Sequence, residues 1–214
     1  MNSGKSTLAK LLAAELGVQR RSLDDLRWDY YAEVGYDEKV AGARGAEGFA
    51  ALYQYWKPFE AHAVTRILAT HSNCVIDFGA GHSVYDDEQQ FNQVRQALEP
   101  HRVVLTLPSP DPEESIRTLH GRSANLPDDV RNVNEYFVRH HSNFSLAKLI
   151  VYTNGKTPVE TRDEILRSLK EQLRSGAQAV RLAADRDAPA SRQRMGSPRP
   201  GGASRGSSRN FGRG

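Results

Sequence analysis

Apolar positions along the chain recur in blocks whose spacing predicts helices separated by short, fully apolar runs. From Ser6 to Leu16, Leu8, Leu11, Leu12 and Leu16 cover one face, and Gly17 stands where a helix C-cap belongs. Val18 to Leu23 reads as a short connection or weak strand, Leu26 to Val34 as a second helix, and the glycine-bearing segment from Gly35 to Gly45 as a break. A long helix is expected from about Glu47 to His71, with Phe49, Leu52, Tyr53, Trp56, Val64, Ile67 and Leu68 in phase and Pro58 bending or splitting it. Cys74–Phe78, Val103–Leu107 and Leu149–Tyr152 are strand candidates. Helices are expected over Asp86–Leu98, about Pro112–His120, Val133–His141 and from Pro158 to about Arg174. Thr157 and Glu160 offer a capping box for the last of these. Apolar strands alternating with helices predict an α/β fold: a three-layer open sandwich around a parallel sheet.

Composition divides the chain. Residues 181–214 carry eight Arg and two Asp, whereas the remainder has a net charge of −3, so the overall +3 belongs to the tail. Gly, Ser, Pro and Arg dominate that tail, which predicts a folded domain over about 1–180 and a disordered basic segment over 181–214. Arg-Gly content there is compatible with nucleic-acid contact, and the mildly acidic body gives no support to a nucleic-acid groove. Cys74 is the only cysteine, so no internal disulfide forms. With no run long enough to span a bilayer, the expected setting is cytoplasmic without a membrane partner.

Candidate chemistry begins at Gly4-Lys5-Ser6-Thr7, the second half of a phosphate-binding P-loop placed directly before a helix. In that reading Ser3, Gly4, Lys5, Ser6 and Thr7 hold ATP. Lys5 reaches phosphate oxygens, and Ser6 with Asp77 organises Mg²⁺. The alternative for the four residues is a surface turn at a helix start. Asp24 or Asp25 would orient an acceptor hydroxyl and take its proton, or else cap the following helix. Lys57, Arg117, Arg122 and Arg139 fall in segments that would overhang the strand ends. The pair His140-His141 has no third ligand at recognisable spacing.

These residues, together with Ser22-Leu23-Asp24, Trp56-Lys57-x-x-Glu60 and Asp77-Phe78-Gly79-Ala80-Gly81, resemble the shikimate kinase-like group of small P-loop kinases. The resemblance implies a five-stranded parallel sheet, here without its first, central strand, and a mobile lid. It implies Asp24 at the acceptor hydroxyl, and Lys57, Gly79, Gly81 and Arg139 lining a small hydroxylated substrate. Arg122 would be the lid arginine, with Arg117 as a second candidate beside the nucleotide. Ser22 replaces the family's first acid and Lys57 its carboxylate-gripping arginine, departures that point away from shikimate itself. The implied activity is Mg-dependent phosphoryl transfer from ATP by a monomer or small homo-oligomer. The alternative is a noncatalytic or defective relative that acts as a binding protein, with nucleic-acid contact through its Arg-rich tail.

Overall fold

The structure is a computed structural model that describes residues 3–125 and 128–186. The chain divides into a unit of residues 1–174 and a second of residues 175–214. The described part of the second unit is the end of one long helix. The basic tail expected over 181–214 lies, beyond Arg186, outside the described residues.

Helix α1 (Lys5–Leu16) closes on Gly17, whose left-handed φ of 67° lets its N–H turn back to the Ala13 and Ala14 carbonyls. Strand β1 (Gln19–Ser22) runs into α2 (Leu23–Ala32), with the Ser22 hydroxyl accepting the Asp25 N–H at 3.4 Å as the N-cap. The segment expected to be a glycine break contains α3 (Glu38–Ala46), which Asp37 starts by accepting the Lys39 and Val40 amides. Helix α4 (Phe49–Thr70) then continues through Pro58 for 22 residues as one element. Packing explains why the proline is tolerated: Phe59, Ala61, Ala63, Val64 and Ile67, just beyond it, are all buried.

Strand β2 (Cys74–Asp77) and a 3₁₀ turn (Ala80–Ser83) precede α5 (Glu88–Leu98) and β3 (Val104–Leu107). Helices α6 (Pro112–Arg122), α7 (Asp128–Arg139) and α8 (His141–Leu146) lead to β4 (Leu149–Tyr152) and α9 (Pro158–Arg186). The expected capping box forms, with Thr157 accepting the Glu160 N–H at 3.2 Å and Glu160 accepting the Thr157 N–H at 2.7 Å.

The expected three-layer sheet does not form. Among the described residues β1 pairs in parallel only with β2, Ser22 opposite Asp77, and β3 only with β4, Leu107 opposite Tyr152. The molecule is therefore predominantly α-helical with two small, separate parallel pairs, not a P-loop kinase core. Each strand has four residues, too few to organise the core. The main apolar cluster instead joins Tyr30 and Tyr31 of α2, five residues of α4, and Val94 and Leu98 of α5. Tyr31, Tyr36 and Tyr55 surround the Phe59 ring with centroids 5.0–5.7 Å away. A smaller cluster of Leu107, Ile116, Leu119 and Val138 joins β3 to α6 and α7.

Candidate functional site

The ends of β1 and β2, the first turn of α2 and the middle of α4 bring charged side chains together around the 3₁₀ turn. Lys57 and Glu60, one helical turn apart on α4, form an ion pair with both side chains about 5% exposed. The Lys57 ammonium also donates to the Gly81 and Val84 carbonyls, each at 2.9 Å, and lies 4.0 Å from the centre of the Tyr53 ring. Burial pulls the Lys57 amine below its ordinary value and pushes the Glu60 carboxyl up, while their mutual attraction opposes both shifts. Lys57 thus has all three donors engaged and ties the 3₁₀ turn to α4.

Two glycines make this approach possible. A Cβ on Gly81 would stand 2.7 Å from Glu60 Oε1, and one on Gly79 would collide with Asp24 Oδ1 and stand 2.7 Å from His82 Nδ1. Gly79 and Gly81, expected to line a substrate, give their missing side-chain space to carboxylates of this same chain. Asp24 lies 3.7 Å from the Arg27 guanidinium and 3.8 Å from His82 Nδ1. His82 is 1% exposed, and neither ring nitrogen has a hydrogen-bond partner. Burial drives its pKa down to about 4 against the pull of Asp24.

At the strand ends, Asp77 receives Arg20 Nη2 at 2.6 Å and is only 5% exposed as a side chain. Its carboxylate is thereby neutralised by arginine. Lys5 donates to Ser3 Oγ at 3.2 Å; burial lowers its pKa, with Asp77 and Asp24 drawing it back up. Ser6 and Thr7 are exposed on the first turn of α1, behind Gly4 at a left-handed φ of 85°.

This arrangement overturns the ATP and Mg²⁺ reading. Among the described residues no group of three or more His, Cys, Asp or Glu side chains could hold a metal ion. Asp77 faces Arg20 where a metal ligand was expected, and the folded architecture is not that of a nucleotide-binding sheet. The kinase activity, and the small hydroxylated substrate tied to it, lose their support with that architecture. So does the defective-kinase alternative, which also presupposed the fold.

The arginines expected above the strand ends lie on the helices of the smaller cluster. Arg139 is bound to Glu113 of α6 and, at 3.3 Å, to Glu135. Arg117 and Arg122 are exposed on α6. His140 caps α8 by accepting the Ser142 N–H at 3.2 Å through Nδ1, while Nε2 faces Asp86 at 3.1 Å. Both ring nitrogens are thus used structurally.

Sequence reasoning passed over the groups that matter most around Glu60. Arg27 Nε, Tyr31 Oη, Tyr53 Oη and Trp56 Nε1 are buried without a hydrogen-bond partner, as are the His82 nitrogens and Glu60 Oε2, the last ion-paired with the Lys57 ammonium. Field effects connect them: Glu60 acts on Tyr31, Tyr53 and Tyr85, and Arg27 on Glu60, Tyr31 and His82. Arg27 also lies 5.8 Å from the Trp56 ring centre. The available signal was the spacing Tyr53, Trp56, Glu60 on one face of α4, and Arg27, Tyr31 on α2, which periodicity alone assigns to core packing.

No protein-family model matches the chain, and no curated protein is significantly similar to it. No helix among the described residues is long and apolar enough to cross a membrane.

Proposed function

We propose that the chain is a small-ligand-binding protein whose site, enclosed by α2, α4 and the 3₁₀ turn, takes a small organic carboxylate. The observation that carries this reading is the concentration of unpartnered, buried hydrogen-bond donors at Arg27, Tyr31, Tyr53 and Trp56. Buried polar groups in folded proteins are almost always satisfied, by protein, by water or by a ligand. With the Glu60 carboxylate already balanced by Lys57, the remaining unpartnered groups are dominated by donors and contain one guanidinium, which calls for acceptor oxygens, and a carboxylate supplies two with the matching charge. Asp24, Lys57, Gly79 and Gly81 act here as framework: they fix the turn and set its electrostatics. The ligand-binding unit corresponds to the domain of about residues 1–180, with the Arg-, Gly- and Ser-rich segment as a separate tail. A reducing, cytoplasmic setting fits the lone thiol of Cys74.

Isothermal titration with a panel of small mono- and dicarboxylates, each beside its amide counterpart, tests the reading. Binding of at least one acid in preference to its amide is expected, with Arg27→Ala weakening it at least tenfold while the thermal midpoint falls only modestly. Absence of binding across the panel, with ordered waters satisfying all four donors in a crystal structure, would overturn it.

A further inference from the structure

The 3₁₀ turn is held from several sides around one enclosed imidazole. Lys57 binds the Gly81 and Val84 carbonyls, and the Ser83 hydroxyl donates to Asn143 Oδ1 at 2.7 Å. Tyr85 exchanges hydrogen bonds with Ser142, its N–H donating at 3.3 Å and its carbonyl accepting at 3.1 Å. Within the turn, the His82 N–H reaches the Gly79 carbonyl at 3.2 Å and the Val84 N–H the Gly81 carbonyl at 3.1 Å. The His82 ring sits inside this frame, 1% exposed, with neither nitrogen in a well-formed hydrogen bond and the Gly79 backbone the one main-chain group that favours its charged form. Its charged neighbours are Asp24 and Arg27 from α2 and Lys57 and Glu60 from α4; the residues that contact the turn from α8, Ser142 and Asn143, are uncharged.

We infer that His82 is an acid-sensitive latch: protonation expels its ring and releases the turn from Gly79 to Val84 from α4, opening the region around Glu60. An imidazolium needs two acceptors, and inside it has at most the Gly79 backbone for one of them. Asp24, its one acidic neighbour within 4 Å, is itself shared with Arg27 and too far for a hydrogen bond. Arg27 and Lys57 add repulsion. Released, the ring recovers water and its ordinary basicity.

The sign follows from proton uptake. The enclosed ring titrates at about 4 and a free one at about 6.5, so the closed turn is fully favoured above pH 6.5 and loses ground as pH falls toward 4. Between pH 7.5 and 5.5 the population of the released turn rises about tenfold.

The latch makes no use of a ligand, so its test separates it from the carboxylate reading. Hydrogen exchange on the ligand-free protein should show protection factors at the His82 and Val84 amides falling about tenfold from pH 7.5 to 5.5. Protection near Ile67 of α4 should hold, which distinguishes local release from acid unfolding. His82→Gln should reduce the pH effect to less than about twofold. Asp24→Asn, which removes a group favouring the charged ring inside, should lower the midpoint of the enclosed ring and leave the fall in protection between pH 7.5 and 5.5 in place. Titration of the His82 ring by NMR in the wild-type protein stands independently of any folding defect in His82→Gln. A midpoint below pH 5 is expected, whereas a midpoint between 6 and 7 in the folded state, or pH-independent protection of the turn, would overturn the latch.

Discussion

Around α4 the protein encloses its ions: the Lys57 and Glu60 side chains are 5% and 4% exposed, and backbone carbonyls and aromatic faces complete their surroundings. Where α6 meets α7, Arg139, Glu113 and Glu135 pair while 44–60% of each side chain remains in solvent. The aromatic cluster of α2 and α4 excludes water on the first side. On the second, a small core of four aliphatic residues leaves the ion pairs at the rim. Similar side chains therefore carry different consequences. Enclosed ions specify one position for the turn and are costly to separate, whereas exposed ions add little and are screened by salt.

The largest effect should follow from breaking the enclosed pair. Lys57→Ala leaves Glu60 without its cation and frees the Gly81 and Val84 carbonyls, so a destabilisation of about 3–5 kcal/mol is expected in urea denaturation. Replacing both partners, Lys57→Met with Glu60→Leu, should recover part of that loss, because the apolar pair needs no charge compensation although the Gly81 and Val84 carbonyls still lack their donor. Equal losses in the single and double variants would show that this region does not depend on charge burial.

An intermediate effect is expected at Gly79. An alanine Cβ there meets the Asp24 carboxylate and the His82 ring, and displacing a buried ring costs about 1–3 kcal/mol. Asp24 is half exposed and can swing away, but His82 cannot. Asp24→Ala should therefore rescue only part of the Gly79→Ala loss in a double-mutant cycle. Full rescue would place the strain on the carboxylate alone and remove His82 from the close-packed set.

Local structure was legible in the sequence wherever a residue acts on its own neighbours. Gly17 ends α1, Thr157 and Glu160 cap α9, and the four strands among the described residues fall within segments marked by apolar or weak-strand character. Asp37 was an unread start signal for α3. Pairing was not legible. Cys74–Asp77 and Val104–Leu107 are equally suited to a shared sheet, and only long-range hydrogen bonding decides that β2 joins β1 while β3 joins β4. The site failed for a related reason. Gly4-Lys5-Ser6-Thr7 fits a phosphate loop as a string, but the meaning of Asp77 depends on Arg20, 57 residues away, and that of Lys57 on carbonyls 24 and 27 residues ahead. Nothing in the string around His82 marks it, because burial is a property of the packed chain.

The smallest expected effect lies at the exposed clamp between α2 and α4, where Glu33 accepts Arg66 Nε at 2.7 Å and His62 Nε2 at 2.8 Å. Hydrogen bonds from Arg66 first, and His62 second, hold the Glu33 carboxyl at about pH 2. Since its folded pKa is depressed, its contribution is present above about pH 4.5 and disappears as pH falls toward 2. The group is solvent-exposed, so Arg66→Gln should shift the urea midpoint only slightly at pH 7, and 1 M NaCl should abolish even that difference. A large, salt-resistant loss would mean that this clamp behaves like the enclosed Lys57–Glu60 pair, and exposure would no longer account for the contrast between the two regions.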